Sequence, residues 1–210
     1  MFKMTGGNLT LKNLVLKNTN ATAIELRNGI LNTINVTFIN TKSNDVGGAI
    51  YAFNSTYYST NDKFTDNSAK DAGSDIFASS SRIHIKNATF TNKNPIRWSL
   101  IYGSDSLINV SDTTFANATS RYATAIYNLG ITEITRSKFI NLRANATGGA
   151  VAVKGDMEDG FAQLVIINCE FTNVSAGRNG GAIFADIAAD SDTRGKGEVL
   201  IVNTTFNKNT

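Results

Sequence analysis

Six carboxylates crowd into two short stretches of this 210-residue chain: Asp156, Glu158 and Asp159 within 154–163, and Asp186, Asp190 and Asp192 within 186–197. Brought side by side, they would form an acidic mouth for a hard cation such as Ca²⁺, which takes roughly six or more oxygen ligands. The run Asp190-Ser191-Asp192-Thr193-Arg194-Gly195 opens like an EF-hand loop. It then fails, because Arg194 falls on a ligand position and Ile201 stands where the closing Glu belongs. Solvated loop charge is the simpler expectation. Asp156, Asp159, Asp190 and Asp192 are the metal candidates, and Ca²⁺ is the one cofactor considered.

Glycoside cleavage needs two carboxylates at a defined separation, one of them protonated. Asp62, Asp66, Asp71 and Asp75 are close enough in sequence to be considered, but they fall on different segments and are not expected to converge. His84 sits between Ile83 and Ile85, where strand alternation turns it outward with no evident partner. Cys169 occupies a slot two residues before a Phe, which holds Leu14, Val36, Ala88, Thr113, Ser137 and Thr204 elsewhere; it reads as core packing. No catalytic residue is assigned.

The elements that position these residues follow from a repeat. An apolar residue, usually Phe, recurs with a nearby Asn: Leu16 with Asn18, Phe38 with Asn40, Phe64 with Asn67, Phe90 with Asn92, Phe115 with Asn117, Phe139 with Asn141, Phe171 with Asn173, and Phe206 with Asn209. Successive spacings are 22, 26, 26, 25, 24, 32 and 35 residues. A second run, often Gly-Gly-Ala-Ile, centres on Ile24, Ile50, Ile76, Ile101, Ile126, Val151 and Ile183. Upstream of each Phe lies an alternating apolar pair such as Ile83/Ile85 or Leu164/Ile166. Each unit thus has three short β-like runs and cannot bury an apolar face alone, so neighbouring units must stack into one core. Residues 1–210 are expected to form a single all-β solenoid of about eight coils, each 22–35 residues long. Asn after the Phe suits a stacked turn, since it tolerates left-handed backbone.

If the central Ile of the second run points inward, the next residue points outward. Glu25 and Asp75, flanking two of these positions, agree with that parity. The outward series is Glu25, Tyr51, Phe77, Tyr102, Tyr127, Ala152 and Phe184. The aromatics Tyr51, Phe77, Tyr102, Tyr127 and Phe184 would then form a ladder able to stack on sugar rings or anchor a protein, or simply to stabilise the sheet.

The formal net charge of +3 is dispersed and leaves no footprint for nucleic acid. A single cysteine excludes an internal disulfide. No stretch approaches the roughly 18 apolar residues of a membrane-spanning helix. The N-terminal Met1-Phe2-Lys3-Met4-Thr5-Gly6-Gly7 lacks the apolar centre of a signal peptide. With the repeats, this points to an export signal and anchor outside the sequence. Ten Asn-x-Ser/Thr triplets occur, at Asn8, Asn20, Asn35, Asn54, Asn87, Asn109, Asn117, Asn145, Asn173 and Asn203, as an Asn/Thr-rich repeat produces without selection.

The alternation of Phe-x-(x)-Asn with Gly-Gly-Ala-Ile, over residues 9–209, resembles the repeats of polymorphic outer-membrane proteins, which are autotransporter adhesins. It is equally similar to the Asn/Thr-rich adhesin-like surface proteins of methanogenic archaea. Gly73-Ser74, Trp98-Ser99 and Ala123-Thr124 depart from the double Gly. The resemblance implies a right-handed parallel β-helix, export to the cell surface or exterior, and adhesion or surface display, with no catalytic residues. The expected partners are a surface protein or glycan of a host or neighbouring cell, with end-to-end self-association of the solenoid. The alternative is a polysaccharide-binding module, or a polysaccharide lyase or hydrolase of the pectate-lyase-like β-helix class.

Overall fold

The computed structural model describes residues 2–155, 161–187 and 197–210. Within them there is no helix, and the strands stack as a right-handed parallel β-helix. The Phe runs form an eight-stranded parallel sheet from Val15–Lys17 to Thr205–Asn207. Its register sets Leu16, Phe38, Phe64, Phe90, Phe115, Phe139, Phe171 and Phe206 directly above one another. The upstream and isoleucine runs share a 14-stranded sheet. It is two ladders fused where Ile101–Ser111 and Ile126–Thr135 pass through both without a break. The first and last rungs of each ladder have a neighbour on one side only. The expected eight coils are therefore corrected to about six turns.

Alternation decides which side chains enter the core. Along Ile24–Arg27, Ile24 and Leu26 are buried while Glu25 and Arg27 are not. Ile24, Ile50, Ile76, Ile101, Ile126 and Val151 are all fully buried, as are Phe38, Phe64, Phe90, Phe115, Phe139 and Phe171 of the stacked column. The Phe rings stack along the axis at 4.4–5.1 Å between centroids.

Asparagine closes the corners. Asn18, Asn40, Asn117, Asn141 and Asn173 have φ between 49° and 56°; a second turn column with Asn13, Asn35, Asn61 and Asn87 lies between 52° and 57°, and a third has Asn28 at 53° and Asn54 at 47°. Their amides bond from coil to coil, as in Asn35 Nδ2 to Asn13 Oδ1 at 2.8 Å and Asn173 Nδ2 to Asn141 Oδ1 at 2.8 Å. Asn67 and Asn92 differ: both are buried, and left-handed backbone falls instead on Asp66. Asn67 Oδ1 accepts from Thr41 N at 2.9 Å, so this Asn satisfies a buried backbone group in place of closing a corner.

The double glycines bring adjacent coils together. Gly148 and Gly180 adopt φ of 66° and 65°, and a Cβ on Gly149 would lie 1.6 Å from the Gly181 carbonyl oxygen. Trp98 and Ala123, at the departures from the motif, are not left-handed, so the corner there is rebuilt and carries larger side chains.

The last rung shows what stacking contributes. Val199, Ile201 and Phe206 are 40 %, 41 % and 47 % exposed. Their register partners one coil earlier, Leu164, Ile166 and Phe171, are 0 % exposed. As an isolated 210-residue polypeptide, the chain is expected to self-associate through this face, because apolar side chains and strand edges are open together. Light scattering should show mass rising with concentration, and Phe206→Lys should suppress the rise. A monomer at all concentrations would refute the expectation.

Candidate functional site

The outward aromatic series is in register, running Glu25, Tyr51, Phe77, Tyr102, Tyr127, Ala152, Phe184. Tyr51–Phe77, Phe77–Tyr102 and Tyr102–Tyr127 stack at 5.7, 5.5 and 5.3 Å with interplanar angles of 9°, 2° and 3°. Ala152 separates Phe184 from the stack. The Arg27 guanidinium lies 4.8 Å over the Tyr51 ring and is held by Glu25 at 2.8 Å. That bond, with Lys3, holds the Glu25 carboxyl below its ordinary range.

At the other end the ladder is covered. Trp98 stands edge-on to Tyr102 at 5.6 Å and to Tyr127 at 5.3 Å, and stacks on Tyr122 at 4.5 Å. Tyr127 is left 9 % exposed and Ala152 0 %. Trp98 and Tyr122 were not among the expected site residues. Their signal was the loss of the double Gly at Trp98-Ser99 and Ala123-Thr124, where the rebuilt corner lets large rings lean over the neighbouring face. Three half-buried rings, Tyr51, Phe77 and Tyr102, remain as a stripe. Their faces are turned on one another, so solvent meets their edges.

The four early aspartates do not converge. Asp66 Oδ1 accepts from Lys93 N at 2.8 Å, and Asp71 pairs with Arg97 at 2.6 Å. Asp62 and Asp75 are interior, 1 % and 0 % exposed. The expected outward direction of Asp75 is thus corrected: it precedes the strand, where alternation does not yet apply. Asp62 accepts from Val36 N at 2.7 Å, from Ser59 Oγ at 2.6 Å and from Thr33 Oγ1. Thr33 Oγ1 also meets the hydroxyl of fully buried Tyr57 at 2.8 Å. Burial raises the pKa of Asp62 and of Tyr57. Asp75 Oδ1 accepts from Asn67 Nδ2 at 2.7 Å, while its Oδ2 is buried with no partner among the described residues. Burial pushes this carboxyl up to about 8, against the Asn67 bond and with help from Asp66. The otherwise apolar interior of these coils therefore holds buried polar groups whose hydrogen bonds offset part of their desolvation, with Asp75 Oδ2 left out.

Cys169 is buried, as expected, but it does more than fill space. Its Sγ accepts from Ser137 N at 3.4 Å, as Ser137 Oγ accepts from Thr113 N and Thr113 Oγ1 from Ala88 N, both at 3.2 Å. Asp62 is the same slot's member in its coil, bonding Val36 N. Burial raises the thiol pKa. Cys169→Ser should therefore keep stability within about 0.5 kcal/mol, whereas Cys169→Ala should lose about 1 kcal/mol by orphaning a buried N–H. Urea unfolding checks this; equal losses would reduce the residue to packing.

His84 does have a neighbour: its ring stacks on Tyr58 at 4.9 Å and 12°. Among the Asn-x-Ser/Thr asparagines, Asn35, Asn54, Asn87, Asn173 and Asn203 donate their Nδ2 groups to the asparagine one coil earlier. The atom a glycan would occupy is already in the ladder. Of the acidic stretches, Asp156, Glu158, Asp159, Asp190 and Asp192 lie outside the described residues. Asp186 lies within them and pairs with Lys154 at 3.1 Å. Among the described residues, no helix is long and apolar enough to cross a membrane.

Compared with known proteins, the chain matches no family model, no curated protein sequence and no solved structure.

Proposed function

We propose that this chain is an adhesin-like repeat at the cell surface or outside the cell, a rigid rod that displays a lateral stripe to a partner surface. The observation that carries this reading is the unbroken stack of Tyr51, Phe77 and Tyr102 on one face, half-buried and in register over successive turns. Parallel stacking pre-orders the rings, so little side-chain entropy remains to be lost on binding. Because the edges face outward, a protein surface from a host or neighbouring cell is the better partner for this stripe; a sugar ring would need an open face. Arg27, placed over Tyr51, adds a polar end. A polysaccharide-cleaving role lacks such support, since Asp62 and Asp75 are engaged inside the core and Asp66 and Asp71 bond elsewhere.

The test is attachment of beads coated with the chain to intact host or neighbouring cells. Tyr51→Ser with Phe77→Ser should cut attachment about tenfold or more, given that a few aromatic anchors carry most interface energy. Each substitution should cost at most about 1 kcal/mol of stability, the scale of a cross-strand pair. Attachment unchanged in the double variant would refute the reading.

A further inference from the structure

Beside the aromatic stripe, on the outer side of the upstream ladder, lies a hollow of about 340 Å³. That is at the small end of the roughly 300–1,000 Å³ of small-molecule sites. Its origin is a change of side-chain size along one column. Tyr58, His84, Asn109 and Glu133 occupy the same position on four successive rungs. Rungs are roughly 4.8 Å apart. Tyr58 and His84 are rings in contact, but Asn109 is short and Glu133 rises beyond it, leaving a gap one side chain deep. One face of the His84 ring is on Tyr58, and the other looks over Asn109. Lys86 and Ser111, two residues further along the same strands, complete the rim.

The groups around this gap are complementary to one ligand chemistry. The imidazole supplies a π face for the C–H bonds of a sugar ring. Burial and Arg82 hold the His84 pKa below its ordinary 6.5, against Glu133, so the ring is uncharged at neutral pH. The Glu133 carboxylate is exposed and can accept from two vicinal hydroxyls. Asn109 keeps its Oδ1 buried without a partner, and its Nδ2 makes no hydrogen bond among the described residues, leaving an amide donor at the floor. Lys86 and Ser111 offer further donors at the rim. A lipid or an apolar side chain would bury these groups unpaired.

We propose that this hollow is a saccharide subsite that takes one neutral hexopyranose unit, its face on His84 and its hydroxyls on Glu133, Asn109 and Lys86. This assignment is independent of the aromatic stripe, which lies on a different ladder.

The test uses the whole chain made in bacteria, so that Asn109 carries no glycan, titrated with methyl glucoside, methyl mannoside and methyl galactoside. Galacturonate and glucosamine are the charged comparators, with amide and imidazole NMR shifts as the readout. The expected result is saturable shifts at His84, Asn109 and Glu133 with at least one neutral glycoside. Glu133→Gln should weaken binding about tenfold, the scale of one charge-assisted hydrogen bond. His84→Ala should weaken it as much, at a cost of at most about 1 kcal/mol of stability from the lost Tyr58 stack. Glu133→Gln should leave the thermal midpoint unchanged, and Tyr51→Ser with Phe77→Ser should leave binding intact. Shifts absent for every neutral glycoside, preference for a charged comparator, or binding indifferent to Glu133→Gln and His84→Ala would each overturn the assignment. Bead attachment lost in the stripe variant but retained in these two would leave the adhesion reading standing alone.

Discussion

Replacing Asp75 with Asn is expected to abolish a loss of stability that the parent chain suffers as pH rises from about 4 to about 8. The unfolded carboxyl titrates near its ordinary 3.8, whereas burial holds the folded one up to about 8. Between these values the folded chain keeps a proton that the unfolded chain has released, so unfolding free energy falls as pH rises. The stability is fully present below the lower value and lost through the upper one. At about 1.4 kcal/mol per pH unit, the loss is on the order of 5 kcal/mol.

Asn keeps an acceptor for Asn67 Nδ2 and carries no charge at any pH, so D75N should be the more stable protein above pH 8. Neighbouring groups set the background. Asp62, also raised by burial, acts in the same direction, while His84, held below its ordinary value, acts in the opposite one. Asp66 and Tyr57 lie within electrostatic reach of the network. Urea unfolding of parent and D75N from pH 4 to 9 isolates the Asp75 contribution as their difference. A difference independent of pH would mean that Asp75 is not protonated in the folded core.

Phe115→Ala should destabilise the chain by about 3–5 kcal/mol, the usual cost of truncating a buried aromatic. Phe115 is fully buried and stacked between Phe90 at 4.8 Å and Phe139 at 5.1 Å, so its loss opens a cavity and removes two ring contacts together. Phe206→Ala, at a 47 % exposed ring stacked on Phe171 alone, should cost no more than about 1.5 kcal/mol. The contrast follows from one-dimensional stacking, in which stability is a sum of coil and coil-to-coil contributions. Removing a central interface should also weaken coupling between the two halves, giving a broader or two-step transition. Equal costs at both sites, with one sharp transition, would be incompatible with that architecture.

Much of this was legible in one dimension. Phe spacings of 22 to 35 residues and the recurring Gly-Gly-Ala-Ile placed the Phe ladder and the isoleucine ladder from Ile24 onward in register, but not the added rung Phe2–Thr5 or the short pair Lys42–Ser43 with Ser68–Ala69. Period-two alternation sorted Ile76 from Phe77 and Ile101 from Tyr102. Asparagine at the corners was legible too, because left-handed backbone is a local demand that a residue type answers locally. Asp75 and Asn67 misled for the opposite reason. Each stands just outside a regular strand, where alternation gives no direction and the coil's closure decides.

By itself, then, the sequence determined the repeating coil, the register of its main ladders and the apolar side chains that point inward, since these depend on periodicity and on the backbone preferences of single residues. Tertiary structure alone decided that Asp62 and Asp75 are buried, that Trp98 and Tyr122 roof one end of the aromatic ladder, and that a hollow opens above Asn109. Each of those depends on the volumes of side chains from coils about 25 residues apart meeting in one place. A repeat pattern states which residues are equivalent; it does not state how unequal neighbours fill the space between two rungs.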